Sequence, residues 1–103
     1  MKILLDNCTP GPLRKHLTEH TVIHAAKLGW AALSNGDLLK AAEAEFDLFI
    51  TCDQNLRYQQ NLTGRRIAIL ELRIQFWPEL ELLADQVASA VAEMQPGEYR
   101  ILF

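Results

Sequence analysis

Two apolar runs in this chain each end in an aspartate. Ile3-Leu4-Leu5 leads into Asp6-Asn7, and Leu48-Phe49-Ile50-Thr51 leads into Cys52-Asp53-Gln54-Asn55. A third acid, Asp37, opens a helix-forming stretch between them. Aspartates gathered on one edge of a fold bind a hard divalent cation, Mg2+ or Mn2+, through carboxylate oxygens and water. Such an ion activates water, stabilises charge developing on a phosphate and orients the scissile group. Asn7, Thr51 and Asn55 flank the acids, and their amides and hydroxyl suit the positioning of water or phosphate. Turn and cap preferences are the competing account. Asp and Asn are favoured in the turns after strands, and Asp37 lies where a negative charge stabilises a helix N-terminus.

The elements that must position these residues can be read from the apolar pattern. Short continuous apolar runs point to strands buried on both faces, as in a parallel sheet. Residues 2–5, 21–24, 48–51 and 67–72 read as strands, and Tyr99 to Phe103 as an edge strand. Thr9-Pro10 reads as an N-cap followed by proline, opening a helix to about Leu17 with Leu13, His16 and Leu17 inward. Ser34 with Asp37 three residues on resembles a capping box, with Leu38, Leu39, Ala41, Ala42 and Phe46 carrying the apolar face. Gln54 to Gly64 is polar and reads as a loop or short irregular helix. Trp77-Pro78 opens a last helix, where Leu80, Leu83, Val87, Val91 and Met94 recur at helical spacing until Pro96-Gly97. Strands alternating with helices imply an α/β domain with a mostly parallel sheet between helices. In such sheets ligands bind beyond the carboxyl ends of the strands, where Asp6 and Asp53 fall.

Composition narrows the class. The chain has 103 residues, 50% of them apolar, which suits one small domain over residues 1–103 with a true core. No apolar stretch approaches the roughly 20 residues of a membrane helix, and the first run is too short for a secretory signal. Two cysteines, Cys8 and Cys52, suggest no disulfide framework, so a cytoplasmic setting with free thiols is expected. The formal net charge is -3, but the 57–73 stretch holds Arg57, Arg65, Arg66 and Arg73 against one acid, Glu71. A local basic patch of this kind can follow a phosphate backbone, with Arg57, Arg65 and Arg66 as the nucleic-acid-binding candidates. His16, His20 and His24 repeat every four residues, yet a helix end and a strand between them break any zinc geometry. Trp30 and Trp77 flank loops and read as core plugs rather than stacking platforms. No Gly-rich phosphate loop or nucleophile elbow is present.

The order of motifs is itself informative. Met1 to Asn7, a proline-started helix, a strand at Val22, Leu28-Gly29-Trp30, Leu33-Ser34-Asn35-Gly36-Asp37-Leu38-Leu39 and Ile50-Thr51-Cys52-Asp53-Gln54-Asn55 follow one another. Over roughly residues 1–75 this resembles the compact PIN-like proteins of the DUF5615 type, presumed toxins of toxin–antitoxin pairs. The resemblance implies a small three-layer α/β/α domain and a metal-dependent ribonuclease. By it, Asp6, Asp37 and Asp53 are the catalytic and metal-binding acids, Mg2+ or Mn2+ is the cofactor, RNA is the substrate, and a cognate antitoxin is a partner. The family commonly carries a further acid two residues after Asp53; here that residue is Asn55. The substitution motivates a second reading, a PIN-like scaffold that binds RNA or a protein without cutting. A receiver-like phospho-acceptor is a third, although it calls for adjacent acids after strand one and a late lysine. Asp6 is followed by Asn7, and no lysine occurs after Lys40. The apolar segment at Tyr99 to Phe103 could pair across a homodimer or receive a partner peptide.

Overall fold

The apolar runs form strands because both of their faces can be covered. The computed structural model describes residues 1–56 and 64–103. Its five strands are β1 (Lys2–Leu5), β2 (Thr21–His24), β3 (Leu48–Thr51), β4 (Ala68–Leu72) and β5 (Tyr99–Leu102). They make one sheet in the order β2-β1-β3-β4-β5, and every pairing is parallel. All of β3 and β4 is buried, which explains their lack of polar alternation. From β1 the chain passes outward to β2 and then crosses back to β3 on the other side. The sheet therefore has its switch point between β1 and β3.

Successive residues of a strand point to opposite faces, so the sheet builds two cores. Ile3, Leu5, Leu48, Ile50, Leu70 and Leu72 pack with Leu13, Leu17, Leu80, Val87 and Val91. Leu4, Phe49 and Ile69 pack on the other face with Leu38, Leu39, Ala42, Phe46 and Leu56. This is an α/β domain with helices on both sides of a parallel sheet. Among the described residues no helix is long and apolar enough to cross a membrane.

Among the described residues three α-helices flank the sheet: α1 (Asn35–Glu45), α2 (Trp77–Glu81) and α3 (Ala84–Glu93). The Ser34 cap forms as expected, its hydroxyl accepting from the Asp37 N–H at 3.3 Å. Three local expectations are corrected. The first helix is a 3-10 helix, Gly11–His16, capped by Pro10 with no side-chain bond. Pro10 and Pro12 lack N–H donors, and the segment closes by tight bonds from Leu13 N to Pro10 O and from Leu17 N to Arg14 O. Thr9 is thereby released from capping and donates instead to the Ile50 carbonyl at 3.0 Å. His16 is exposed rather than inward and touches the Trp77 ring, with centroids 5.7 Å apart. The last helix is broken. Tight bonds from Leu83 N to Leu80 O and from Gln86 N to Leu83 O separate α2 from α3 and leave Leu82 exposed. Trp30 and Trp77 both pack partly buried against the cores, as plugs.

Candidate functional site

The register decides what meets at the switch point. Leu5 pairs with Ile50, so Asp6 and Thr51 emerge side by side from the carboxyl ends of β1 and β3. The Asp6 N–H continues the ladder to the Ile50 carbonyl at 2.9 Å. Its carboxylate is nearly sealed, at 4% exposure. Thr51 Oγ1 donates to Asp6 Oδ2 at 2.7 Å, and the Asn7 N–H donates to Asp6 Oδ1 at 2.7 Å. Thr51 Oγ1 in turn accepts from the Asp53 N–H at 3.0 Å. One buried hydroxyl therefore fixes the first acid and the backbone that carries the second. Asp53 Oδ1 accepts from the Asn55 N–H at 2.9 Å, an Asx turn that orients its carboxylate.

Asp6, Asn7, Cys8, Cys52, Asp53, Gln54, Asn55 and Gln75 line one cavity of about 550 Å³. Four expected residues thus come together there, with Thr51 buried beneath them. Asp37 does not line it. It is exposed on the first turn of α1, where the Ser34 cap accounts for its position. Asn7 Nδ2 reaches towards that segment, donating to the Ala31 carbonyl at 3.5 Å.

Arg65 and Arg66 are removed from the acid site. They precede β4, on the amino edge of a parallel sheet, opposite the acids. Arg65 pairs with Glu43 at 2.9 Å and Arg66 with Asp47 at 3.7 Å, the latter just before β3. Arg57 lies outside the described residues. Among the described residues no group of three His, Cys, Asp or Glu side chains is placed to hold a metal ion.

Gln54, Gln75, Cys8 and Cys52 are cavity residues that motif spacing did not single out. Gln75 follows the carboxyl end of β4, so the strand-end rule applied to every strand would have found it. Its amide donates to the Cys8 carbonyl at 2.8 Å and ties the β1 and β4 loops together. Neither cysteine is in a disulfide. Cys8 Sγ accepts the Cys52 N–H at 3.3 Å and lies 3.5 Å from Asp6 Oδ2.

The hydrogen bond from the Cys52 thiol pulls the Cys8 thiol down from its ordinary 9.0 to about 7, against burial and the Asp6 charge. The same contact, with burial, pushes Cys52 up. An acid whose pKa falls is ionised at lower pH, so Cys8 carries the nucleophilic thiolate near neutrality. In chelator, iodoacetamide is expected to alkylate Cys8 with a midpoint near pH 7, with Cys52 unmodified. Asp6→Asn removes the opposing charge and should move the midpoint lower. A midpoint near 9 read by peptide mass mapping would contradict the thiol pairing.

A scan against protein-family models, a search of curated proteins and a search of solved structures each returned no match. The functional reading therefore rests on this geometry and on the motif order.

Proposed function

We propose that the chain is a metal-dependent endoribonuclease of the PIN-like kind, hydrolysing RNA phosphodiesters in the Asp6–Asp53 cavity. The observation that carries this reading is the Thr51 hydroxyl, which holds Asp6 and the Asp53 backbone together at the switch point of a parallel sheet. The donor set fits Mg2+ or Mn2+. Asp6 and Asp53 offer hard carboxylate oxygens, with amides of Asn7, Gln54, Asn55 and Gln75 around them. Magnesium is commonly bound by one or two carboxylates and keeps several waters, so two acids suffice. When bound, the ion would polarise the phosphate and lower the pKa of water.

The chain's own residues do the rest. Thr51 and the Asn7 backbone hold Asp6 in orientation. The Asn55 N–H turns Asp53 towards the cavity. The amides of Asn7 and Asn55 can donate to phosphate oxygens without adding charge. A toxin role with a cognate antitoxin is part of the same proposal, carried by the motif order alone.

The test is cleavage of single-stranded RNA with manganese, comparing wild type with Asp53→Asn. Asp53→Asn is expected to lose about tenfold or more, in line with the 10–100-fold cost of disturbing metal-site carboxylates and their partners. Equal cleavage by both would remove Asp53 from the site. A second reading, an RNA-binding scaffold that does not cut, is favoured by the neutral Asn55 and by the exposed Asp37 standing outside the cavity. It is the outcome if wild type binds RNA but leaves it intact.

A further inference from the structure

A second cavity opens on the same edge of the sheet, on the β2 side of the loop that carries Asp6. Its volume is about 450 Å³, and Leu5, Gly11, Arg14, His24, Ala26 and Lys27 line it. Most of its wall is apolar, and no acid lines it. Arg14 and Lys27 are exposed, and among the described residues the side chain of neither enters an ion pair or hydrogen bond. Such cations stand ready for an external anion. His24 is fixed at the cavity wall: Nε2 lies 2.9 Å from the Thr9 carbonyl, and Nδ1 accepts the Ala26 N–H at 3.2 Å. Both ring nitrogens are thereby engaged with the backbone.

The two cavities draw on one stretch of chain: Leu5 lines one and Asp6 the other. Thr9, buried in the loop that follows, has its hydroxyl on the Ile50 carbonyl and its own carbonyl beside His24. A ligand occupying both needs an anionic group at each step and a flat apolar group beside the second anion. An acidic peptide has the charge without the ring. A single-stranded nucleic acid has both, since such strands are held by a cationic groove together with base stacking. The volume lies in the range of cavities that enclose small organic groups.

We infer that this cavity is a nucleotide subsite for single-stranded RNA, holding a base against its apolar wall and a phosphate on Arg14 and Lys27. It takes the nucleotide next to the scissile one, and in naming RNA it rests on the ribonuclease reading of the Asp6–Asp53 cavity. It also supplies the cationic contact that Arg65 and Arg66, on the far edge, do not.

The experiment is fluorescence anisotropy with a labelled single-stranded RNA in chelator, so that binding is read without cleavage. Two variants separate charge from shape. Arg14→Ala with Lys27→Ala removes both cations, and Ala26→Trp fills the cavity with no change in charge. All three positions are exposed, so the fold is expected to survive, with circular dichroism as the check. Each variant should weaken binding about tenfold, as loss of one stacked base or of one doubly held phosphate does. The double variant should also flatten the salt dependence of log Kd by about 0.7, the slope for one phosphate contact on a single strand. A mononucleotide should compete in wild type and lose that effect in Ala26→Trp.

Unchanged affinity in either variant overturns the inference. So does an acidic peptide that binds as tightly and is lost in the same variants, which would assign the cavity to a protein. The two proposals fail separately. RNA held here but never cut with manganese removes the nuclease reading and leaves the subsite. RNA cut normally by Ala26→Trp does the reverse.

Discussion

Asp6→Asn is expected to lower manganese-dependent RNA cleavage by a factor on the order of 100 or more, the largest loss of any single exchange at the site. Asp6 is the hub of the cavity. Its two carboxylate oxygens receive the Asn7 N–H and the Thr51 hydroxyl, and Cys8 Sγ lies 3.5 Å from Oδ2. Asparagine keeps the shape but turns an NH2 group towards donors, and it halves the formal negative charge that Asp6 and Asp53 bring. Leaving a buried donor unsatisfied costs about 1–3 kcal/mol, which a folded domain of this size can bear. Single-turnover cleavage across a manganese series reads the effect, with the thermal midpoint measured beside it. Wild-type cleavage in Asp6→Asn would refute the site. Thr51→Val sharpens the test because it leaves both acids in place. It should lose cleavage through misplacement of Asp6, while Thr51→Ser, which keeps the hydroxyl, restores it.

The strand-end acids were legible because a buried parallel strand writes itself as an apolar run and stops where its polar edge begins. Leu5 and Ile50 mark those ends, and the register then sets Asp6 beside Thr51. Arg65 and Arg66 stand away from the acids because closeness in sequence is not closeness in space. Asp53 follows β3 and Arg65 precedes β4, and a crossover between parallel strands must return the chain to the opposite edge. A five-residue strand such as β4 spans roughly 16 Å, so Arg65 and Arg66 meet Glu43 and Asp47 at the amino edge. Asp37 shows a different limit. A capping acid and a metal ligand share one sequence signature, and only placement separates them. The cation pair Arg14 and Lys27 had no signature at all. Arg14 lies on the 3-10 helix after β1 and Lys27 on a 3-10 turn after β2, and the parallel pairing of these strands brings them together.

The scaffold beneath the site is most exposed to loss at Phe49. It is 1% exposed, at the centre of β3, between β1 and β4. Its ring fills the face formed by Leu4, Ile69, Leu38, Leu39, Ala42 and Phe46. Phe49→Ala is expected to cost about 3–5 kcal/mol, the lost transfer free energy plus the cavity left behind. Against a total of about 5–15 kcal/mol for a domain of this kind, the thermal midpoint should drop by about 15 °C or more. Thermal unfolding followed by circular dichroism checks it. A drop below about 5 °C would mean that α1 settles onto the sheet and closes the gap. The site itself should outlast the substitution at low temperature. Asp6 is aligned by the Ile50 carbonyl and the Thr51 hydroxyl, neither of which depends on the ring. Cleavage measured well below the lowered midpoint should therefore stay within a few-fold of wild type. Asp6→Asn, by contrast, should leave much of the stability and remove the chemistry. The two variants together separate what holds this sheet from what its carboxyl edge does.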